Sequence, residues 1–101
     1  MKSPIFVLKI SGDSMKPYAR DGDYAISTRL FLDPRVGEVL IFKSPTDEKT
    51  MIKRVSRIDI EKEGNKYFLE GDNRMRSTDS NVFGRISKKE IIGKVLFIAR
   101  R

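Results

Sequence analysis

The sequence contains neither cysteine nor histidine. These absences remove thiol nucleophiles, disulfides and zinc sites built from histidine or cysteine. They also remove a Ser-His-Asp triad, so acid–base chemistry near neutral pH falls to a carboxylate or to a lysine made less basic than usual. The redox compartment stays undecided, because a chain without cysteine suits either. Long apolar runs are missing as well. No stretch of about 18 apolar residues is present to cross a bilayer as a helix. The opening Met1-Lys2-Ser3-Pro4, followed by Ile5-Phe6-Val7-Leu8, is too short for a signal-peptide core. The expectation is a soluble, cytoplasmic protein, with peripheral membrane contact left open.

What is present suits one folded unit. The 101 residues are 39% hydrophobic and 35% charged, a balance that supports a single core and argues against disorder. The net charge of +7 is spread along the chain and interrupted by acids, which fits a solvated basic surface better than a dedicated binding stripe. Apolar residues fall in short runs at strand spacing, predicting strands over 6–10, 24–28, 36–43, 50–60, 66–70 and 92–99. Turn chemistry separates them at Asp21-Gly22, Asp33-Pro34, Ser44-Pro45-Thr46-Asp47, Glu63-Gly64-Asn65 and Gly71-Asp72-Asn73. Helix is confined to one short turn, where Ser87-Lys88-Lys89-Glu90 has capping-box spacing and Gly93 ends the segment. The fold class is therefore all-β, a small, partly closed barrel or coiled sheet.

Three segments carry chemistry. In Ser11-Gly12-Asp13-Ser14-Met15-Lys16-Pro17, a serine lies between a flexible glycine and a stiff proline after a hydrophobic strand. Such a turn presents a hydroxyl and bare N–H groups to a carbonyl, although turn serines more often satisfy their own backbone. In Met51-Ile52-Lys53-Arg54-Val55, alternation puts Met51, Lys53 and Val55 on one face, so Lys53 is a candidate for burial. An ordinary lysine is neutral in only about one molecule in 2,500 at pH 7, and a base at this position needs desolvation or a cationic neighbour such as Arg54. The competing reading is an edge-strand lysine that reaches water. The third segment runs from Gly71-Asp72-Asn73 through Ser77, Asp79 and Asn81 to Phe83-Gly84, far longer than a hairpin requires.

Taken in this order, the three blocks resemble the signal peptidase I family of serine endopeptidases over residues 9–96. The resemblance implies a single peptidase domain over 1–101, with Ser14 as the acylated nucleophile and Lys53 as its general base. It implies that Ser77 orients the lysine amine, that Asp79 orders the loop, and that Met15 lies at the substrate. The oxyanion is assigned to the backbone around Ser14 and Gly12. Some members carry a hydroxyl two residues before the nucleophile, where this chain has Gly12, and many carry arginine where it has Asn81. An ion pair of Asp79 would then fall to Arg74, Arg76 or Arg85. No cofactor and no metal are implied. The expected partner is an extended peptide segment of a precursor protein, and no nucleic acid.

Other readings stay open at this stage. The block Ser-Gly-Asp-Ser-Met is also similar to the self-cleaving domain of SOS-type repressors, which lack the Gly71 to Gly84 box. A degenerate relative would bind peptides without cutting them. A basic β-barrel would bind nucleic acid through Tyr24, Phe68 and Phe83. Oligomeric state is not encoded legibly.

Overall fold

Alternating and continuous apolar runs assemble into one antiparallel sheet of seven strands. They are β1 (Ile5–Lys9), β2 (Tyr24–Thr28), β3 (Val39–Lys43), β4 (Thr50–Asp59), β5 (Lys66–Glu70), β6 (Ile86–Ser87) and β7 (Ile91–Ala99). The computed structural model describes residues 3–30, 33–76 and 80–101. Strand order is β1-β2-β7-β3-β4-β5-β6, so the sheet is coiled but not closed. The all-β expectation holds.

The centre of the sheet is β3. Its Val39-Leu40-Ile41-Phe42 run is buried throughout, as a strand covered on both faces requires. Val39 and Ile41 join Ile10, Met15, Ala19, Ala25, Ile52 and Val95 in one core cluster. Leu40 and Phe42 join Val55, Tyr67, Leu69, Phe83 and Ile86 in a second on the opposite face. Gly93 in β7 is required by close approach, because a Cβ there would lie 2.6 Å from the Thr28 carbonyl oxygen and 2.8 Å from the Phe6 ring.

Several boundaries differ from the sequence reading for local reasons. The strand expected from Val36 begins at Val39, because Glu38 N–H donates to Arg35 O and Gly37 adopts φ +95°, making a turn of that stretch. The two-residue β6 is too short to produce a period. The capping-box segment forms a 3-10 turn, Lys88–Glu90, with the Glu90 carboxylate accepting from the Ser87 N–H at 3.1 Å. The long polar loop holds a 3-10 turn, Arg74–Arg76, and a short helix, α1 (Ser80–Phe83).

Candidate active site

The turn carrying Ser14 is fastened at both ends. Ile10 N–H donates to Asp23 O at 2.7 Å, and Gly22 N–H returns to Ile10 O at 2.8 Å. Beyond the serine, Met15 is 1% exposed and Ala19 0%, both in the first core cluster. Met15 was expected at the substrate; instead its long apolar side chain plugs the core and pins the turn from below. Gly12 adopts φ +88°, a conformation that costs a side-chain-bearing residue energy, so the position suits glycine and not a hydroxyl donor. Its N–H, expected at the oxyanion, donates instead to Asp21 Oδ1 at 2.7 Å. The Ser14 N–H is not taken up by any described residue.

Lys53 is 3% exposed. Edge-strand exposure, the competing reading, is thereby excluded. The residue pairs in register with Leu40 across the β3–β4 ladder, and its face of β4 also carries Met51 and Val55, which pack into the second core cluster. Burial withdraws water from the amine and disfavours its charged form. Arg54, the expected cationic neighbour, points to the other face and is engaged there by a carboxylate. Its Nε and Nη2 donate to Asp72 Oδ1 and Oδ2 at 2.9 and 2.7 Å, and its Nη1 donates to Gly37 O at 2.8 Å. Hydrogen bonding to Asp72 lifts the guanidinium's already high pKa further, against the opposing effect of burial. The Tyr18 ring lies 4.9 Å from the Arg54 guanidinium, and burial pushes the Tyr18 phenol up.

Ser14 and Lys53 line one cleft of about 210 Å³, together with Leu8, Ile10, Thr50 and Ile52. Two open strand edges define it. Among the described residues β1 pairs with β2 alone, and β5 pairs with β4 from Arg54 onward. The first half of β4 therefore faces the cleft without a ladder partner on that side among the described residues. A wider groove of about 540 Å³ runs past Asp33, Lys66 and Lys88, but its lysines are not buried.

A third contribution comes from the start of the long loop. Asn73 N–H donates to Ser14 O at 2.9 Å, and Asn73 Nδ2 donates to Asp13 O at 3.1 Å. Sequence reasoning read Gly71-Asp72-Asn73 as turn chemistry and did not anticipate that adjacent residues would hold two different elements. Ser77 and Asp79 lie outside the described residues. Of the arginines considered for Asp79, Arg74 pairs with Glu70 at 2.7 Å, and Arg85 pairs with Asp59 at 3.0 Å and with Glu61.

Comparison with known proteins places the chain among peptidases. A family model described as Peptidase S24-like matches residues 1–96. Subunit 1 of the human mitochondrial inner membrane protease is 32% identical over 111 residues, covering 90% of this chain and 67% of the relative. Subunit 2 from Saccharomyces cerevisiae is 27% identical over 119 residues, covering 93% and 67%. These relatives correct the expectation of a cytoplasmic location: by name they are proteins of a membrane, and they point to membrane association. The resemblance to the signal peptidase I family and the reading as a peptidase both stand. With nearly its whole length matched, the chain belongs to the Peptidase S24-like family.

Proposed function

We propose that this protein is a serine endopeptidase that cuts an extended segment of a precursor protein with Ser14 as nucleophile and Lys53 as general base. Burial of Lys53 in the cleft that also displays Ser14 carries this reading. In the first step the neutral amine takes the Ser14 proton while Oγ attacks the peptide carbonyl carbon. The Ser14 N–H is proposed to donate to the oxygen that becomes negative. The ammonium then protonates the departing amine as the C–N bond breaks, leaving an ester on Ser14. Water attacks that ester with Lys53 again accepting a proton, and the acid product leaves as the serine hydroxyl is restored.

The substrate backbone is proposed to enter as an added strand between β1 and the first half of β4, which offer open edges for main-chain hydrogen bonds. Leu8, Ile10 and Ile52 line a cleft small enough to favour small apolar side chains. Residues 1–101 act as a single catalytic domain in this reading. Membrane association is proposed to involve the outer face of β1, β2 and β7, where Val7, Ile26 and Phe97 form a cross-strand row and Val7 and Phe97 are more than half exposed. Apolar side chains beside a net charge of +7 suit a bilayer surface containing anionic lipid.

Incubation with a library of unstructured peptides, read by mass spectrometry, tests the reading. Wild-type protein is expected to produce defined cleavages that Ser14→Ala does not. Equal cleavage by Ser14→Ala would overturn it.

A further inference from the structure

Alternation along β1 fixes which of its groups a substrate meets. Ile10 directs both backbone groups toward the β2 side, its N–H donating to Asp23 O at 2.7 Å and its carbonyl accepting from the Gly22 N–H at 2.8 Å. Successive residues of a strand point these groups to opposite edges, so the N–H and carbonyl of Lys9 face the edge that carries no partner among the described residues. Side chains alternate between the two faces in the same rhythm. Leu8 and Ile10 turn inward to the first core cluster, whereas Val7 and Lys9 are exposed on the outer face. A substrate strand added at this edge therefore presents alternate side chains to two environments: inward to the small apolar cleft, and outward beside Lys9.

The outward environment is a cavity of its own. It has a volume of about 360 Å³, is lined by Lys9, Ile10, Ser11, Asp21, Gly22 and Arg101, and shares its first three residues with the cleft that holds Ser14 and Lys53. The Arg101 side chain lies across Gly22, where a Cβ would come within 2.9 Å of its Cδ and 3.0 Å of its Nη1. The bare glycine leaves the room in which the guanidinium rests. Neither Lys9 nor Arg101 has an ion-pair partner among the described residues, while neighbouring Arg100 is engaged by Asp23 at 2.9 Å. Asp21, the carboxylate of the lining, accepts from the Gly12 N–H through Oδ1 at 2.7 Å. Two cations against one committed carboxylate leave the cavity net positive beside the path of the substrate.

We propose that Lys9 and Arg101 form a subsite for an acidic side chain, so that the peptidase selects Asp or Glu at one substrate position pointing out of the cleft. This rests on the Ser14–Lys53 reading and on strand addition at β1, and it adds selection by charge to the selection by size at Leu8, Ile10 and Ile52. Opposite charges facing each other across a ladder attract, and like charges there repel, so a lysine or arginine at the same substrate position is disfavoured. The Ser11 hydroxyl, in the same lining, is a further donor for the carboxylate.

The test uses the full chain and soluble peptides, without lipid. Products from the peptide library are expected to show Asp or Glu enriched at one position, with small apolar residues on both sides of it. In a peptide pair that differs only by Glu or Gln at that position, Glu is expected to raise kcat/KM about fivefold, an advantage that shrinks in about 1 M salt, where the screening length is about 3 Å. Lys9→Glu combined with Arg101→Glu should reverse the ratio, and Lys9→Gln and Arg101→Gln should each bring it closer to one. The ratio is taken within one variant, so a loss of folded protein does not move it. A library without acidic enrichment, or a ratio unchanged in the double variant, with Ser14→Ala inactive, would overturn the subsite and leave the peptidase reading intact. Equal rates on the two peptides, together with lost co-sedimentation of the double variant with anionic vesicles, would overturn it as well and assign the cations to lipid. Cleavage by Ser14→Ala would instead reject the reading beneath it.

Discussion

Lys53 lies directly across the β3–β4 ladder from Leu40, a residue with no exposed surface. An amine in that position is held where a leucine or methionine would pack without desolvation cost. Its four-carbon stem suits the second core cluster, and in the proposed reading desolvation of its nitrogen prepares it as a base. In that reading stability is exchanged for reactivity at one side chain.

Replacing the base by an apolar residue of similar length separates those roles. Lys53→Met should abolish cleavage while keeping or raising stability, with a gain of about 1 kcal/mol read as a rise in Tm of about 4–8 °C. Lys53→Arg should be inactive, because a guanidinium does not give up its proton, and less stable, because the cation is bulkier. Thermal denaturation and peptide cleavage of the two variants check both statements.

Close packing makes a second prediction, away from the site. Gly93→Ala would press a methyl group against the Thr28 carbonyl oxygen, which is backbone and cannot swing aside. The β2–β7 ladder must spread, at a cost of about 1–3 kcal/mol. Urea titration should show a lower midpoint with an unchanged slope.

Acid sensitivity is expected to begin at Asp23. Its side chain is 6% exposed and accepts hydrogen bonds from the Arg20 and Arg101 N–H groups and from Arg100 Nη1. Chiefly the Arg20 N–H, against the cost of burial, holds this carboxyl below the usual range. A depressed carboxylate stabilises the fold above its unfolded value of about 3.9, and that contribution fades as pH falls through the lower folded value. In Asp23→Asn, Tm measured against pH should lose part of its drop below about pH 4. An identical acid limb in both proteins would contradict the assignment.

The outer row gives a fourth expectation. Val7→Ser together with Phe97→Ser should weaken co-sedimentation with vesicles containing anionic lipid and leave cleavage of a soluble peptide unchanged. Undiminished sedimentation would remove this face from the membrane contact.

Much of the frame is visible in the chain alone. β2 and β5 match their predicted residues because turn signals close each end, Asp21-Gly22 before one and Gly71 after the other. Lys53 was placed on an apolar face by alternation with Met51 and Val55, and burial follows that alternation. Met15 was misplaced because it lies in a turn, where no period says whether a side chain faces core or solvent. The Arg54–Asp72 pair was missed for a different reason: it spans the whole β4–β5 hairpin, and the register shift between Val55 and Arg57 hides the phase that brings its ends together. Location was not legible at all, since no spacing of charge or apolar residues names a compartment.

Covalent labelling addresses the central claim most directly. The protein is treated with a serine-acylating penem, digested, and the adduct mapped by mass spectrometry in wild type and in Lys53→Met. A single adduct on the peptide containing Ser14, lost in Lys53→Met, is the predicted result. An adduct elsewhere, or equal labelling of Ser14 without the lysine, would contradict the account.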